Sequence, residues 1–369
     1  MNWLILTLLP YLAFFMTVWI RMQGNSGRVS AGGEKALNEK LFLSVLIPVR
    51  NEAGNIRNLL SALAAQSLDS SLFEIIIIDD GSIDESSGIL LSPAPADPAY
   101  KLIQTEGLGK KKALALGMEQ SRGNYIVSTD GDCRVHADWL KNIYSLILEE
   151  RPDMIIGPVD IINTGSLLNS LVQLEFLSLQ AVTEVFARRG RPVLCNGANL
   201  CFSNPGAGAY KEMVKEHINT GDDIFLMESF KRQGKIIAWT DLPGSMVYTL
   251  GPDTVGEFLR QRIRWSSKSI SYTDPALAAI SALVFLTGMV ISLSVMAAII
   301  IPALWLLPGL MYMIKSIPDI LILSTMASGR DKKRLLYLFI PAQLLYPFYI
   351  LAAGLGGIVK GLFSLRQDK

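Results

Sequence analysis

Hydrophobic and polar positions divide the chain into three zones. In the first, residues 3–20 carry no charge, and Arg21 and Arg28 follow them. A cleavable signal peptide has its positive charge before the apolar run, whereas here the charge comes after it. The pattern therefore predicts an uncleaved transmembrane anchor over 1–21 with its C-terminal end in the cytoplasm. The polar, glycine-containing stretch 22–40 is typical of a linker.

The second zone, residues 41–250, has the pattern of an α/β domain. Short apolar runs rich in β-branched residues are typical of parallel strands covered on both faces. These runs are FLSVLI at 42–47, EIIIID at 74–79 and YIVST at 125–129. Apolar residues recur at helical spacing between them, so the zone predicts βαβ units in a doubly wound sheet. Ligands of such sheets bind beyond the carboxyl ends of the strands.

The third zone predicts an interfacial helix over 251–274 and about three transmembrane helices over 275–360. Only Lys315 and Asp319 are charged between residues 275 and 326. That length is enough for two spans of about 20 residues each. A cationic SGRDKKR segment then separates them from a third apolar run at 335–359.

The positive charges indicate an orientation in the membrane. Four spans in all place the SGRDKKR loop on the same side as Arg21 and the α/β zone, which satisfies the positive-inside tendency. The tail, residues 361–369, then lies outside, against that tendency. Alternatively, the last apolar run is bent or re-entrant at Pro341 and Pro347.

Composition agrees with a membrane protein and narrows its partners. Half of the 369 residues are hydrophobic, 18% are charged, and the formal net charge is +1. This balance predicts an integral protein of the inner or plasma membrane and gives no support for a nucleic-acid partner, which needs a basic face. The three cysteines are not in CxxC pairs, which favours reduced thiols over a disulfide framework or zinc site.

Polar motifs follow the predicted strands, where a doubly wound sheet holds its ligand. They comprise Pro48, Asn51 and Glu52 after the first strand, Asp79 and Asp80 after the second, Lys110 in GLGKKKAL, and Asp130 and Asp132 after YIVST. Pro48 is expected to end the first strand. Taken singly, the motifs are also explained by a helix cap, ordinary turns and a solvated lysine face. Their combination favours one nucleotide site.

The pair Asp130 and Asp132 predicts a site for Mg²⁺ or Mn²⁺. Such a hard cation takes one or two carboxylates and completes its shell with phosphate and water. An EF-hand loop is excluded because its fifth and twelfth positions would be the cationic Arg134 and Lys141. An ordinary solvated turn remains the alternative for the two aspartates.

In their order and spacing, IPVRNEAGNI, IIIIDDGSID, GKKKAL and TDGD resemble the inverting nucleotide-sugar glycosyltransferases of family 2, which have the GT-A fold. Downstream, CNGANLCFS at 195–203 and TGDDIFL at 220–226 are similar to the family's acceptor-side segment and acidic motif. QRIRW at 261–265 resembles the QxxRW motif of the membrane-integrated branch, which includes cellulose, chitin and hyaluronan synthases and ceramide glucosyltransferase. The resemblance covers about residues 42–268.

The resemblance implies a cytoplasmic catalytic domain, a UDP-sugar donor and a lipid or glycan acceptor at the membrane. It implies that Asp223 is the general base and that Asp222, which replaces the usual glutamate, orients the acceptor or bonds locally. It further implies that Asp79, Asp80 and Glu52 contact uridine. The remaining implied contacts are Lys110 to phosphate, Asp130 and Asp132 to the metal, and Asn196, Gly197, Asn199, Gln261, Arg264 and Trp265 to diphosphate or acceptor.

Three questions remain open at this point. The short membrane portion favours transfer of one or a few sugars, although a homo-oligomer could form a larger channel. A sugar-nucleotidyltransferase shares the nucleotide site and metal but has no need of QxxRW or spans. A transporter or receptor with an inactive cytosolic domain is a third class, for which Lys315 and Asp319 would line a transport path unless they pair with each other.

Overall fold

The computed structural model divides the chain into two compact units. It describes residues 6–24, 41–215, 218 and 221–367, with side chains through 362. The α/β unit comprises Gly27–Ile162 and Phe186–Leu250, and the helical unit comprises Met1–Ser26, Asn163–Val185 and Gly251–Lys369. The predicted domain over 41–250 is therefore interrupted, because its segment 163–185 belongs to the helical unit. The first residues of the predicted anchor and residues 25–40 of the linker lie outside the described residues.

Strands and helices are numbered here in chain order. The strands are β1 Leu43–Val49, β2 Phe73–Asp80, β3 Lys101–Thr105, β4 Tyr125–Ser128, β5 Met154–Ile156, β6 Val159–Ile161, β7 Leu200–Ser203, β8 Ile237–Trp239 and β9 Val247–Thr249. The helices are α1 Leu9–Gln23, α2 Ile56–Ala64, α3 Ser86–Leu91, α4 Lys110–Glu119, α5 Trp139–Glu150, α6 Leu167–Ala187, α7 Ala207–Met213, α8 Asp222–Arg232, α9 Val255–Ser267, α10 Pro275–Ile300, α11 Leu306–Gly329 and α12 Phe339–Gln367.

The α/β unit is built on a seven-stranded sheet in the order β3-β2-β1-β4-β7-β5-β8. Strands β3, β2, β1 and β4 are parallel, whereas β7 runs antiparallel to both β4 and β5. The continuous apolar runs of β1 and β2 are buried at the centre of the sheet, as strands covered on both faces require. The sheet matches the predicted α/β class but is mixed rather than wholly parallel. Strands β6 and β9 form a separate parallel pair.

Two details of the sheet differ from the sequence prediction. Strand β3 was not predicted, because only Ile103 of its five residues is buried and an edge strand shows no apolar run. Pro48 does not end β1, which continues to Val49 beside β2. The proline is tolerated because the pairing of β1 with β4 has already stopped at Leu46, so Pro48 has a strand neighbour on one side only.

The helical unit contains three stretches that are long and apolar enough to cross a membrane. Within the described residues they are Pro275–Ile300, Pro302–Gly329 and Lys333–Leu362. The last of these helices is continuous through Pro347, so the alternative of a chain re-entrant at that proline is wrong. It also extends to Gln367, past the predicted boundary of the tail at residue 360.

Lys315 and Asp319 pair with each other inside the helical unit. The Lys315 ammonium is 2.6 Å from Asp319 Oδ2 and 2.8 Å from Gln343 Oε1, and its side chain is 1% exposed. Gln343 Nε2 donates to Asp319 Oδ2, and the Tyr11 hydroxyl donates to Asp319 Oδ1, each at 2.8 Å. The cluster therefore joins helices α1, α11 and α12, and its closed hydrogen bonding supports a structural role over a transport path.

Replacing Lys315 with methionine is expected to destabilise the helical unit by about 3–5 kcal/mol, because Asp319 would become an unpaired buried charge. Thermal unfolding of the protein in detergent measures the loss, with Lys333→Met, an exposed cation, as the control. The double variant Lys315→Met with Asp319→Asn should recover part of it. An unchanged unfolding temperature for Lys315→Met alone would contradict this account of the cluster.

Candidate active site

The polar motifs meet at one edge of the sheet, beyond the carboxyl ends of β2, β1 and β4. These three strands are neighbours and run parallel, so the chain leaves each of them in the same direction. The loop after β1 begins at Arg50, β2 ends at Asp80, and Asp130 follows β4 directly. The antiparallel strand β7 starts at the same edge, since Leu200 pairs with Ser128.

The loop after β1 is held by side chains from the loop after β2. The backbone N–H groups of Asn51, Glu52 and Ala53 donate to Ser82 Oγ, Ser86 Oγ and Asp84 Oδ2 at 3.0, 2.7 and 3.1 Å. In return, the Asn51 side chain accepts from the Ile83 N–H at 2.9 Å. Asn51 has a φ of 58°, a left-handed conformation that asparagine tolerates well. The two loops form one rigid floor for a ligand.

Asp80 supports the loop that leads into α4. Its carboxylate accepts from Thr105 Oγ1 at 2.6 Å and from the N–H groups of Leu108 and Gly109 at 2.6 and 2.8 Å. Its side chain is buried. The implied uridine contact of Asp80 remains a prediction. Through its bonds to Leu108 and Gly109, Asp80 positions Lys110, the first residue of α4.

Asp79 is also buried, and its contacts are local. Its carboxylate accepts from the Ser82 N–H at 3.1 Å and from the Ser87 hydroxyl. These bonds fix the turn after β2. The implied uridine contact of Asp79 therefore also remains a prediction.

The glycine between Asp130 and Asp132 lets the chain pass close to Glu52. A Cβ on Gly131 would lie 3.1 Å from Glu52 Cγ and 3.2 Å from Val49 Cγ2, closer than side chains normally approach. Three carboxylates, those of Glu52, Asp130 and Asp132, thus come from two neighbouring loops. The close approach explains why the acidic pair has a glycine at its centre.

Asp132 is oriented by the end of β9. Its Oδ2 accepts from Thr249 Oγ1 at 2.7 Å and from the Leu250 N–H at 3.1 Å. Two donors on one oxygen direct the other oxygen of the carboxylate away from them. Asp132 therefore has a fixed orientation, which a metal ligand requires.

Lys110 links the acidic pair after β4 with the acidic pair that begins α8. Its ammonium is 2.5 Å from Asp130 Oδ1 and 3.9 Å from Asp222 Oδ2. Burial lowers the pKa of Lys110, but the charges of Asp130, Asp222 and Asp223 outweigh it and hold the pKa above its ordinary value. Lys110 is therefore a permanent cation among carboxylates, so it is not part of the solvated lysine face that was one sequence interpretation.

Gly197 lies where these groups converge. A Cβ at this position would be 3.3 Å from the Lys110 ammonium, 3.6 Å from Asp223 Cβ and 3.7 Å from Asp222 Oδ2. Its N–H donates to Asp223 Oδ2 at 3.3 Å. Asp222 and Asp223 also lie in the first turn of α8, where the helix dipole favours negative charge. The acidic motif of α8 and the acidic pair after β4 therefore face one site.

The two asparagines flanking this glycine have structural contacts. Asn196 Oδ1 accepts from the Ala198 N–H at 3.0 Å and caps a short 3₁₀ turn. Asn199 is buried, and its amide donates to the carbonyls of Pro158 and Ser245 and accepts from the indole of Trp139. Both amide hydrogens and the oxygen thus have protein partners, which gives Asn199 a structural role, and its implied contact with diphosphate or acceptor remains a prediction.

Lys111 is a buried, structurally important position that the sequence did not reveal. Its buried ammonium donates to the carbonyls of Val214, Lys215 and Ile218 at 2.6, 3.1 and 2.6 Å and lies 5.1 Å from the ring centre of Phe225. It therefore holds the backbone of Val214, Lys215 and Ile218 against α4. In the sequence it is one of three consecutive lysines, and no local signal marks it as buried.

The residues at the edge of the sheet fit a divalent cation that shares its shell with a ligand. Among the described residues, no group of three or more His, Cys, Asp or Glu side chains has metal-binding geometry. Asp130 and Asp132 are metal-ligand candidates two positions apart in one loop, and the Asp130 side chain is 34% exposed. Two carboxylates with room for phosphate and water is the usual environment of Mg²⁺.

Burial raises the pKa of Glu52, and the nearby charges of Asp132 and Asp130 add to the increase, against a lowering hydrogen bond from Asn55. The folded state thus binds this proton more tightly than the unfolded chain. The contribution of Glu52 to the free energy of unfolding is therefore largest at low pH. It declines as the pH rises from about 4.5 through the raised pKa of the folded state.

Glu52→Gln is therefore expected to raise the unfolding temperature of the metal-free protein at pH 8 and to change it little near pH 4. The amide keeps the shape and can still accept from Asn55, while it removes the repelled charge. Thermal unfolding in EDTA at the two pH values checks this, with the exposed Glu119→Gln as the control. A variant less stable than the parent at pH 8 would contradict the assignment.

Gln261, Arg264 and Trp265 belong to α9 of the helical unit. Arg264 is exposed, Trp265 is partly buried, and Gln261 Oε1 accepts from the neighbouring Arg262 at 2.7 Å. The helix ends at Ser267, where a 3₁₀ turn begins. Their implied contacts with diphosphate or acceptor remain predictions.

The fold and the edge of the sheet together define a class. A mixed α/β sheet of the GT-A type carries acidic residues, one lysine and a floor of hydrogen-bonded loops beyond its strands. Residues of these types at this edge of a sheet can hold a phosphorylated ligand together with a cation. Family and fold comparisons specify the class further.

Residues 44–218 match the family model "Glycosyl transferase family 2". The match covers a little under half of the chain, so this part is similar to a family 2 glycosyltransferase domain. The matched region includes the loops after β1, β2 and β4 with Lys110, and it ends before Asp222.

Two curated relatives and one solved structure are similar to the chain. Glycosyltransferase AglE of Haloferax volcanii is 38% identical over 120 residues, which are 32% of this chain and 40% of that protein. An undecaprenyl-phosphate 4-deoxy-4-formamido-L-arabinose transferase of Pseudomonas fluorescens is 37% identical over 95 residues, 25% of this chain and 28% of that protein. The alignment thus spans less than two thirds of either relative.

The solved structure is the mannosyltransferase PcManGT from Pyrobaculum calidifontis, in complex with GDP-Man and Mn²⁺. It aligns over 95% of this chain and 94% of its own with a TM-score of 0.57 and 15% sequence identity. At this identity the likeness establishes the fold. The GT-A expectation is thereby confirmed, and the family and fold place the domain among the glycosyltransferases.

Proposed function

We propose that this protein is an inverting glycosyltransferase that moves a sugar from a nucleoside-diphosphate donor, with uridine as its nucleoside, to a lipid or glycan acceptor at the membrane. The observation that carries the proposal is the convergence of two acidic motifs on one lysine. Asp130 and Asp222 both lie within ion-pair distance of Lys110, and Asp223 bonds to Gly197 beside it. One motif suits a donor diphosphate and the other suits an acceptor hydroxyl.

On the donor side, the proposed roles are to bind the nucleotide and to stabilise the charge of its diphosphate. Asp130 and Asp132 would hold Mg²⁺ or Mn²⁺, and the cation when bound supplies neutralisation of the diphosphate. Lys110, fixed in its charged form, would donate to a phosphate oxygen as negative charge develops on the leaving group. The loops after β1 and β2 would form the floor under the uridine.

On the acceptor side, Asp223 would act as the general base. Inversion needs one carboxylate that removes the proton of the acceptor hydroxyl as its oxygen attacks the anomeric carbon from the side opposite the diphosphate. The C–O bond to the acceptor forms while the bond to the diphosphate breaks, and the proton ends on the Asp223 carboxylate. The N–H of Gly197 orients one oxygen of this carboxylate. Asp222, beside Lys110, would orient the acceptor.

The helical unit supports an acceptor in the membrane. Its three apolar helices have the length of spans, and the curated relative from Pseudomonas fluorescens is a transferase named for undecaprenyl phosphate. In the SGRDKKR segment, Lys332 donates to Gln173 of α6 at 2.9 Å. This cationic segment, held against α6, favours a cytoplasmic position for that part of the helical unit.

The other classes have less support. The closed hydrogen bonds of Lys315 and Asp319 argue against a transport path through the helical unit. A sugar-nucleotidyltransferase would not need Asp223 as a base for an acceptor hydroxyl.

Incubation of membranes containing the protein with radiolabelled UDP-sugars and Mn²⁺ tests the proposal. The expected result is label in a membrane-bound product, whereas absence of binding and turnover of every UDP-sugar would exclude the proposal.

A further inference from the structure

Helix α9 carries three arginines with different environments. Arg260 and Arg264 are exposed, whereas Arg262 is only 5% exposed. Arg262 lies between the glutamine and the arginine of the QRIRW segment and was not singled out by the sequence. A buried guanidinium requires partners for its charge and its donors, so its contacts indicate what it holds in place.

The charge of Arg262 is matched by a glutamate of α6. Its Nε lies 3.0 and 3.1 Å from the two carboxylate oxygens of Glu175, and a terminal nitrogen also donates to Glu175. The pKa of Arg262 is lowered by burial, but Glu175 more than offsets this and keeps the pKa above its ordinary value. The second partner of Glu175 is the Tyr349 hydroxyl of α12, which donates to Oε1 at 2.6 Å. Three helices of the helical unit therefore meet at one carboxylate.

Arg262 also contacts Phe258, 4.7 Å from the ring centre to the guanidinium carbon, and two residues of the QRIRW segment. Its other terminal nitrogen donates to Gln261 Oε1 at 2.7 Å, and its guanidinium carbon lies 4.2 Å from the ring centre of Trp265. Since a guanidinium only donates, the atom of Gln261 that it binds must be the carbonyl oxygen. The Gln261 amide therefore has its NH₂ group, a donor, left for a ligand oxygen. Stacking on Trp265 fixes the indole at the same time.

Glycines of α12 bring α9 close enough for these contacts. A Cβ at Gly357 would lie 2.4 Å from Ser266 Cβ, and one at Gly361 would lie 2.9 Å from the Ser267 carbonyl. These close backbone contacts hold α9 against α12, and the contact of Arg262 with Glu175 fixes the rotation of α9 about its own axis.

We propose that Arg262, held by Glu175 and Tyr349, is a positioning residue for sugar transfer: it orients Gln261 and Trp265 for the membrane acceptor. This inference rests on the proposed function. It assigns a role to the second residue of QRIRW that the resemblance does not supply. Arg262 itself touches no reacting atom, so its effect passes through its two neighbours.

Lysine at position 262 keeps the charge but lacks the planar fork that bonds Glu175 and Gln261 together. Arg262→Lys is expected to lower kcat about 10- to 100-fold, while the KM for the donor changes by no more than about twofold, since orientation and not donor capture is lost. Glu175→Gln should act similarly, and the double variant should be little worse than either single variant. Arg260→Lys, on the exposed face of the same helix, is the matched control and should keep full activity.

Tyr349→Phe removes one hydroxyl and keeps the ring, so it gives a second variant if Arg262→Lys fails to fold. A loss of kcat in correctly folded Arg262→Lys or Tyr349→Phe protein, with an unfolding temperature near that of the parent, supports the inference. Full kcat per folded molecule in both variants, with only the unfolding temperature lowered, overturns it and leaves a merely structural ion pair. If the parent protein transfers no sugar at all, the proposed function fails instead.

Discussion

Asp223→Asn is expected to reduce sugar transfer by about 10²- to 10⁴-fold, the contribution typical of a general base. Asparagine fills the same space and can still accept the Gly197 N–H through its carbonyl oxygen, but it cannot take a proton from the acceptor hydroxyl. The binding of UDP should remain near normal, because Asp130 and Asp132 are unaltered. The variant thus separates the acceptor half of the site from the donor half.

For the Asp223 variant, initial rates with saturating donor measure sugar transfer, and calorimetric titration with UDP measures donor binding. Asp241→Asn, which changes a partly exposed aspartate paired with Arg188 in the same unit, is the control and should retain full transfer. Asp222→Asn is expected to lose less activity than Asp223→Asn. If Asp222→Asn is the inactive variant, the base is Asp222; if Asp223→Asn loses UDP binding, Asp223 belongs to the donor site.

Asp132→Asn is expected to remove the metal dependence of donor binding. The hydroxyl of Thr249 and the N–H of Leu250 both donate to one oxygen of Asp132, so the asparagine must turn its carbonyl toward them. Its NH₂ group then replaces Oδ1, the oxygen proposed to ligate the cation, and an N–H donor cannot ligate a cation. The affinity for the metal should fall by at least the ~10- to 100-fold that follows loss of an outer partner of a ligand.

Titration of UDP with and without Mn²⁺ measures this effect. In the parent protein, Mn²⁺ should strengthen UDP binding, and in Asp132→Asn the two titrations should coincide. Asp241→Asn again serves as the control and should behave as the parent does. An Asp132→Asn variant that still gains affinity from Mn²⁺ would show that the ligand set lies elsewhere.

The central strands and the polar loops that follow them could be predicted from the sequence because their signals are local. Strands β1 and β2 are continuous apolar runs, and each is followed by a polar turn whose position relative to the sheet depends only on strand direction. The position of Asp130 and Asp132 after β4 could be predicted for the same reason. These features are recognised from the spacing of apolar residues and from the polar residues that follow them, so no knowledge of tertiary contacts is needed.

What the sequence could not predict depends on contacts between distant segments. The three lysines at the start of α4 look alike, yet Lys110 pairs with Asp130 whereas Lys111 is buried against carbonyls about 100 positions away. The segment 163–185 has an apolar pattern that suits either unit, and only its packing assigns it to the helical unit. The structural role of Asn199 is likewise evident only from its buried partners.

One measurement tests the central claim that both acidic motifs serve one transfer reaction. Membranes from cells that lack the gene would receive purified parent protein or Asp223→Asn protein, a panel of radiolabelled UDP-sugars, and Mn²⁺ or EDTA. The account predicts that one UDP-sugar labels a membrane lipid or glycan with the parent protein and Mn²⁺, and that label is lost with EDTA and with Asp223→Asn. A parent protein that neither binds nor consumes any UDP-sugar, or an Asp223→Asn protein that transfers at the parental rate, would contradict it.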